Sequence, residues 1–143
     1  MTPAQVEDFL NHLNKSWLDQ DYEALASAYH PEVILLPPDA GIPLEGRETI
    51  CATYQDFHAA CSVDRFMITE LQSWTFAQQN QTVTKAHMRF EIDYRLKDVS
   101  TSVTGAPPVS RPELQCEQGL EVYTLLSNPG SAPQIIWRAQ FTL

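Results

Sequence analysis

From Ala86 to Leu96 apolar and polar residues alternate without a break. Ala86, Met88, Phe90, Ile92, Tyr94 and Leu96 stand against His87, Arg89, Glu91, Asp93 and Arg95. Successive side chains of a β-strand point to opposite faces, so this segment reads as a long strand with one apolar and one charged face. A strand of that kind needs partner strands and a layer over its apolar side.

Upstream the period is helical. Thr2-Pro3-Ala4-Gln5 is a helix start: Thr2 can cap, Pro3 suits the first helical position, and Gln5 stands where a capping box wants Glu or Gln. Val6, Phe9, Leu10, Leu13 and Trp17 then recur at helical spacing and predict a helix over about 3–18. Asp21 caps a shorter helix carrying Tyr22, Leu25, Ala26 and Tyr29, which His30-Pro31 stops because the residue before a proline avoids the helical region. Val33 to Leu36 reads as a short buried strand, ended by the turn Pro37-Pro38-Asp39-Ala40-Gly41. Gly46-Arg47-Glu48 opens a third helix with Ile50, Tyr54, Phe57 and Cys61 on one face. Beyond residue 63 the period becomes two. A strand runs from Phe66 and Ile68 to near Trp74, and Gln78 to Gln81 forms a polar turn. After the alternating strand, Val99 to Glu113 reads as a loop rich in Gly and Pro. Leu114 to Ser127 and Gln134 to Leu143 are the last strands, joined through Asn128-Pro129-Gly130. The order is helix, helix, strand, helix, then four antiparallel strands, which is an α+β class. With no repeat in evidence, 143 residues fit one domain over 1–143, domains being roughly 100–150 residues long.

Charge narrows the range of partners. The chain has 9 Lys and Arg against 18 Asp and Glu, a net of −9. Residues 1–64 hold 11 acids and 2 bases, while residues 65–143 hold 7 of each. Nucleic acids and anionic membranes need clustered Lys and Arg, so neither is expected as a partner. An acidic helical half would repel its copies, whereas a neutral sheet half could meet its copy across a two-fold axis. No apolar run approaches the ~20 residues of a membrane span. Glu7 and Asp8 stand where a signal peptide would be apolar. Cys51, Cys61 and Cys116 are odd in number and form no C-x-x-C pair, so reduced thiols and a cytoplasmic location are expected. His12, His30 and His87 lack ligand spacing, so no metal is expected. No glycine-rich phosphate loop occurs, and no cofactor is expected either.

One set of residues carries a resemblance. Asp21-Tyr22-Glu23-Ala24-Leu25, Tyr29-His30-Pro31-Glu32-Val33, Pro37-Pro38, Leu44-Glu45-Gly46-Arg47-Glu48-Thr49-Ile50 and Tyr54, with the final Ile135-Ile136-Trp137-Arg138-Ala139-Gln140-Phe141, resemble the SnoaL-like branch of the nuclear-transport-factor-2-like superfamily. Ketosteroid isomerases, polyketide cyclases and scytalone dehydratase share that fold. The resemblance implies a cystatin-like conical barrel: three N-terminal helices packed on a curved, mainly antiparallel sheet, with one pocket between them. It also implies a homodimer through the sheet's outer face.

Position by position, the isomerase pattern is incomplete. Its general-base carboxylate falls on Pro37 and its oxyanion tyrosine on Leu13, neither of which can move a proton. Its second oxyanion acid falls near Glu121, and two supporting tyrosines fall on Tyr29 and Tyr54. Glu121 shares a strand face with Gly119 and Tyr123, which the resemblance turns into the pocket. Buried beside aromatics its carboxyl could act as an acid; on the other face it is a solvated strand residue. Arg138 and Gln140 share a face of the last strand, with Trp137 and Phe141 on the opposite one. An inward Arg138 would favour an anionic ligand, above all a carboxylate. His58, one turn after Tyr54, is either a pocket acid/base or a helix-surface histidine. Trp17, Tyr54, Phe57, Met88 and Phe90 are expected to line the pocket, with core packing as the alternative for each. The catalytic candidates are thus Glu121 and His58. The ligand-binding candidates are Trp17, Tyr29, Tyr54, Phe57, Met88, Phe90, Arg138 and Gln140. The expected function is binding of an apolar or amphipathic small molecule, with or without cofactor-free isomerase, cyclase or dehydratase chemistry. The alternative is a non-catalytic binding or assembly module on the same fold.

Overall fold

The computed structural model describes residues 1–39, 41–97 and 112–143. Most of the loop expected over Val99–Glu113, and Ala40 of the proline turn, lie outside the described residues. Helix α1 spans Pro3–Leu18. The expected capping box is in place: Thr2 Oγ1 accepts from the Gln5 amide at 3.2 Å, and Gln5 Oε1 accepts from the Thr2 amide at 2.9 Å. Its buried stripe is Val6, Leu10 and Leu13. Asp21 caps α2, Tyr22–Ala28, by accepting from the Ala24 amide at 3.1 Å. Helix α3, Arg47–Ala60, starts after Gly46, whose φ of 88° is a left-handed value that glycine adopts without strain.

Strands β1 (Tyr29–Leu36), β2 (Leu44–Glu45), β3 (Cys61–Gln78), β4 (Gln81–Leu96), β5 (Leu114–Ser127) and β6 (Gln134–Thr142) form one sheet in the order β2-β1-β6-β5-β4-β3. The β1–β6 pair is parallel and the others are antiparallel. Among the described residues the sheet stays unclosed, and the three helices pack on one of its faces.

Four strands differ from the sequence reading, β4 because it starts at Gln81, five residues before its alternation begins, which leaves only Gln79 and Asn80 for the turn. Strand β1 begins at Tyr29 rather than Val33. Its register with β6 shifts between Tyr29 and Ile34, and that irregular stretch accommodates Pro31, which has no amide to donate. The two-residue β2 is too short to show a period. Strand β3 runs well past Phe66–Trp74 at both ends. Register shifts at Val63/Arg65 and Ile68/Glu70 reset its alternation, so only part of it reads as a strand.

The faces follow from β4. Ala86, Met88, Phe90 and Ile92 are buried under the helices, while His87 and Arg89 are exposed. Val6, Leu10, Leu25, Tyr29, Ile50, Tyr123, Leu125 and Ile135 complete the core, each at 1% exposure or less. Full burial of one such side chain stabilises by roughly 1.5–3 kcal/mol. No helix among the described residues is long and apolar enough to cross a membrane.

Candidate functional site

Between the covered sheet face and helices α1 and α3 lies a cavity of about 200 Å³. Alternation along β5 brings Glu117, Gly119, Glu121 and Tyr123 to that face, and along β6 it brings Arg138 and Gln140. The register then sets the neighbours. Gly119 faces Phe90, Glu121 faces Met88 and Gln140, and Tyr123 faces Arg138. Glu121 and Arg138 are therefore diagonal neighbours, within reach of long side chains.

Gly119 is required by close approach. A Cβ there would overlap the Phe90 ring, with Cε1 only 2.5 Å away. The ring lies across the glycine and stacks on Phe66 at a centroid distance of 5.3 Å.

Glu121 and Arg138 form a buried ion pair, Arg138 Nη2 donating to Glu121 Oε1. Glu121 Oε2 accepts from the Tyr123 hydroxyl. Arg138 Nη1 donates to the hydroxyls of Tyr54 and of Tyr29, the latter at 2.7 Å. Those two hydroxyls are themselves 2.7 Å apart. The guanidinium carbon lies 5.6 Å from the Tyr54 ring centre and 5.2 Å from that of Tyr123. Among the described residues Arg138 Nε is buried without a partner. Burial raises the pKa of Tyr29, Tyr54 and Tyr123 against the opposing charge of Arg138, so all three stay phenols that can donate. Burial alone would lower the Arg138 pKa. The Glu121 charge and the tyrosines outweigh it and hold the group well above its ordinary value.

Both Glu121 oxygens accept hydrogen bonds, one from the Arg138 guanidinium and one from the Tyr123 hydroxyl. At another part of the wall Tyr94 donates to Glu117 Oε1 at 2.8 Å. Burial, and then Glu117, push the Tyr94 hydroxyl up to about 12.

Of the residues singled out by sequence, Glu121, Trp17, Tyr54, Phe57, Phe90, Arg138 and Gln140 line the cavity. Tyr29 is fully buried and reaches the wall through its bond to Arg138. Met88 is a core residue outside the lining, its sulfur accepting from Asn14 Nδ2 at 3.4 Å. His58 is neither at the helix surface nor at the cavity. It is buried beneath Trp17 at a centroid distance of 4.7 Å, with Nδ1 2.9 Å from the Tyr22 hydroxyl and, among the described residues, Nε2 without a partner. Burial, and then the Lys97 charge, lower its pKa. Pro37 lines the wall and contributes no proton-moving group, while Leu13 lies in the core.

The sequence reading passes over Glu117, Tyr94 and Phe66, which also line the cavity. Glu117 stands two residues before Gly119 and Tyr94 two after Ile92, so period-two counting reaches both. Among the described residues no group of three or more His, Cys, Asp or Glu could hold a metal ion.

The SnoaL-like domain family matches residues 6–114. Comparison with curated proteins gives no match. Solved structures share the fold at low identity. A ketosteroid isomerase-like protein from Erwinia carotovora atroseptica is 13% identical with a TM-score of 0.67, over 99% of this chain and 95% of that one. The β subunit of the benzoate 1,2-dioxygenase from Burkholderia mallei is 12% identical with a TM-score of 0.69, over 100% and 91%. ActVI-ORFA from Streptomyces coelicolor is 15% identical with a TM-score of 0.66, over 97% and 95%.

Proposed function

The chain belongs to the SnoaL-like family, and from that premise we propose that it binds a compact, ring-bearing small molecule in the cavity between sheet and helices. The buried Glu121–Arg138 pair in the wall carries this reading. Desolvating two charges costs several kcal/mol per ion, and apolar residues of similar volume would serve stability as well or better. The pair therefore has more to do at a ligand site than in a plain core. The size of the space is in keeping. An apolar cavity of roughly 150 Å³ takes up benzene, so about 200 Å³ seats one ring or a compact pair of rings.

A second reading makes the same pocket catalytic, in a cofactor-free isomerisation, cyclisation or dehydration. Glu121 favours it, because a carboxylate offers about four lone-pair sites and two are occupied. It would carry a proton from one atom of the ligand to another, as base and then as acid. Assembly is the third element. Trp74 and Phe76 are exposed large apolar residues on the face away from the helices. A homodimer through that face is expected, and sedimentation of a monomer at micromolar concentration would remove it. The free cysteines Cys51, Cys61 and Cys116 are in keeping with a reducing cytoplasm.

Thr53 is exposed on α3 and also borders the cavity, so it allows the space to be filled from outside. Phenol and indole are expected to raise the melting temperature of the native chain, since a ligand of the folded state stabilises by mass action. Thr53→Trp is expected to abolish the rise while keeping the fold. An unchanged rise in that variant would place binding elsewhere.

A further inference from the structure

Any ligand preference of the cavity rests on the binding reading above. We infer that the cavity selects a cationic ligand, an aryl-alkyl amine in chemical class, and discriminates against carboxylates.

Arg138 would ordinarily mark an anion site, and here it is already occupied. One terminal nitrogen donates to Glu121 and the other to two tyrosines, and the guanidinium lies against the rings of Tyr54 and Tyr123. The remaining donor, Nε, is itself buried, so a ligand carboxylate that reached the arginine would lie beside Glu121. Two carboxylates sharing one buried site repel strongly.

The rest of the wall points the same way. Among the described residues the lining holds two carboxylates, Glu117 and Glu121, against the single guanidinium of Arg138, an excess of one negative charge. Five lining aromatics form a continuous belt. Tyr94 meets Phe57 at 5.7 Å, Phe57 meets Trp17 at 5.4 Å, Trp17 meets Phe66 at 6.0 Å, and Phe66 meets Phe90 at 5.3 Å. The face of an aromatic ring is electron-rich, so such a belt attracts a cation and repels an anion. Glu117 and Glu121 stand four residues apart on one strand face, about 13 Å at the usual rise. Glu117 is exposed and Glu121 buried, so the cavity has an outer and an inner carboxylate. A ring laid on the belt brings an alkylammonium to the outer one. The net charge of −9 adds a long-range pull on cations.

The test uses three probes that share a ring: phenethylamine, 2-phenylethanol and phenylacetate, titrated by calorimetry into the native chain. The amine is expected to bind about three- to thirtyfold tighter than the alcohol, the range a cation–π and carboxylate partnership supplies. Phenylacetate is expected to bind weakest. Glu117→Gln, a change at an exposed residue, is expected to weaken the amine toward the alcohol's affinity. Phenylacetate binding tightest, or the alcohol equalling the amine, would overturn the charge selection and leave the cavity reading standing. Failure of all three probes at millimolar concentration would remove the cavity reading, and this inference with it.

Discussion

The two faces of one sheet carry the same kinds of ion pair in opposite surroundings. On the helix-covered face Arg138 meets Glu121 with side chains only 10% and 5% exposed. On the other face Arg65 meets Glu91 and Asp93, its own side chain 47% exposed. Arg89 meets Glu70 there with both side chains more than half exposed. Strand alternation decides which pair goes where, since Arg138 and Trp137 are consecutive and point apart. Solvation then decides what each pair does. The covered pair is held by desolvated contacts and borders the cavity. The outer pairs are bathed in water and salt, where attraction is weak and two long side chains must be ordered to keep it. A count of salt bridges would treat them alike, whereas a functional reading separates them.

The largest expected effect breaks the covered pair from one side. Arg138→Met leaves the Glu121 carboxylate buried beside three tyrosines without its cation. Removing one partner of a buried pair typically costs about 3–5 kcal/mol. Urea unfolding is expected to show a loss of that order. The double change Arg138→Met with Glu121→Leu is expected to recover most of it, because the buried charge is gone from both sides. A single variant as stable as the parent would show the pair to be solvated in practice, and the contrast between the faces would disappear.

A smaller effect sharpens the comparison on the packing side. Gly119→Ala places a methyl where the Phe90 ring lies. Overpacking a filled site costs roughly 1–3 kcal/mol. The displaced ring has the cavity to move into, so ligand binding should fall along with stability. Phe90→Leu added to Gly119→Ala is expected to restore stability, measured by thermal melting. A neutral Gly119→Ala would mean that the ring moves aside freely and that the cavity wall is soft there.

These positions also show how far the sequence carries. Helix α1, the opening of α3 and most of strand β4 were legible because each has a local signature: a cap, a 3.6-residue stripe or an unbroken alternation. Strand β3 was only partly legible because its two register shifts change face without any local mark. The orientation of Arg138 was open for a related reason. Both faces of β6 carry large residues, and what settles the matter is pairing with Glu121 on β5 and with Tyr29 and Tyr54, which are 109 and 84 residues away in the chain. His58 shows the converse. Nothing in its own helix tells that Trp17 of α1 and the Tyr22 hydroxyl of α2 close over it. Element type lives in neighbouring residues, whereas the site is made by contacts between elements.

The smallest expected effect is on the outer face. Arg65 donates through Nε to Asp93 at 2.8 Å and through Nη2 to Glu91 at 3.1 Å. These bonds raise its pKa and lower that of Asp93. The geometry is thus better than a single contact, and yet about half of the arginine side chain faces solvent. Arg65→Ala is expected to lower the melting temperature by less than either change on the covered face. That deficit should shrink as salt is added, because the Debye length falls from about 10 Å at 0.1 M to about 3 Å at 1 M. The deficit of Arg138→Met should hardly respond to the same titration, since ions do not enter a buried pair. Two melting curves per variant, at low and high salt, therefore test the contrast directly. An Arg65→Ala deficit that is large and independent of salt would show that the outer network is shielded from solvent. The natural shield is the second copy of the chain expected on that face.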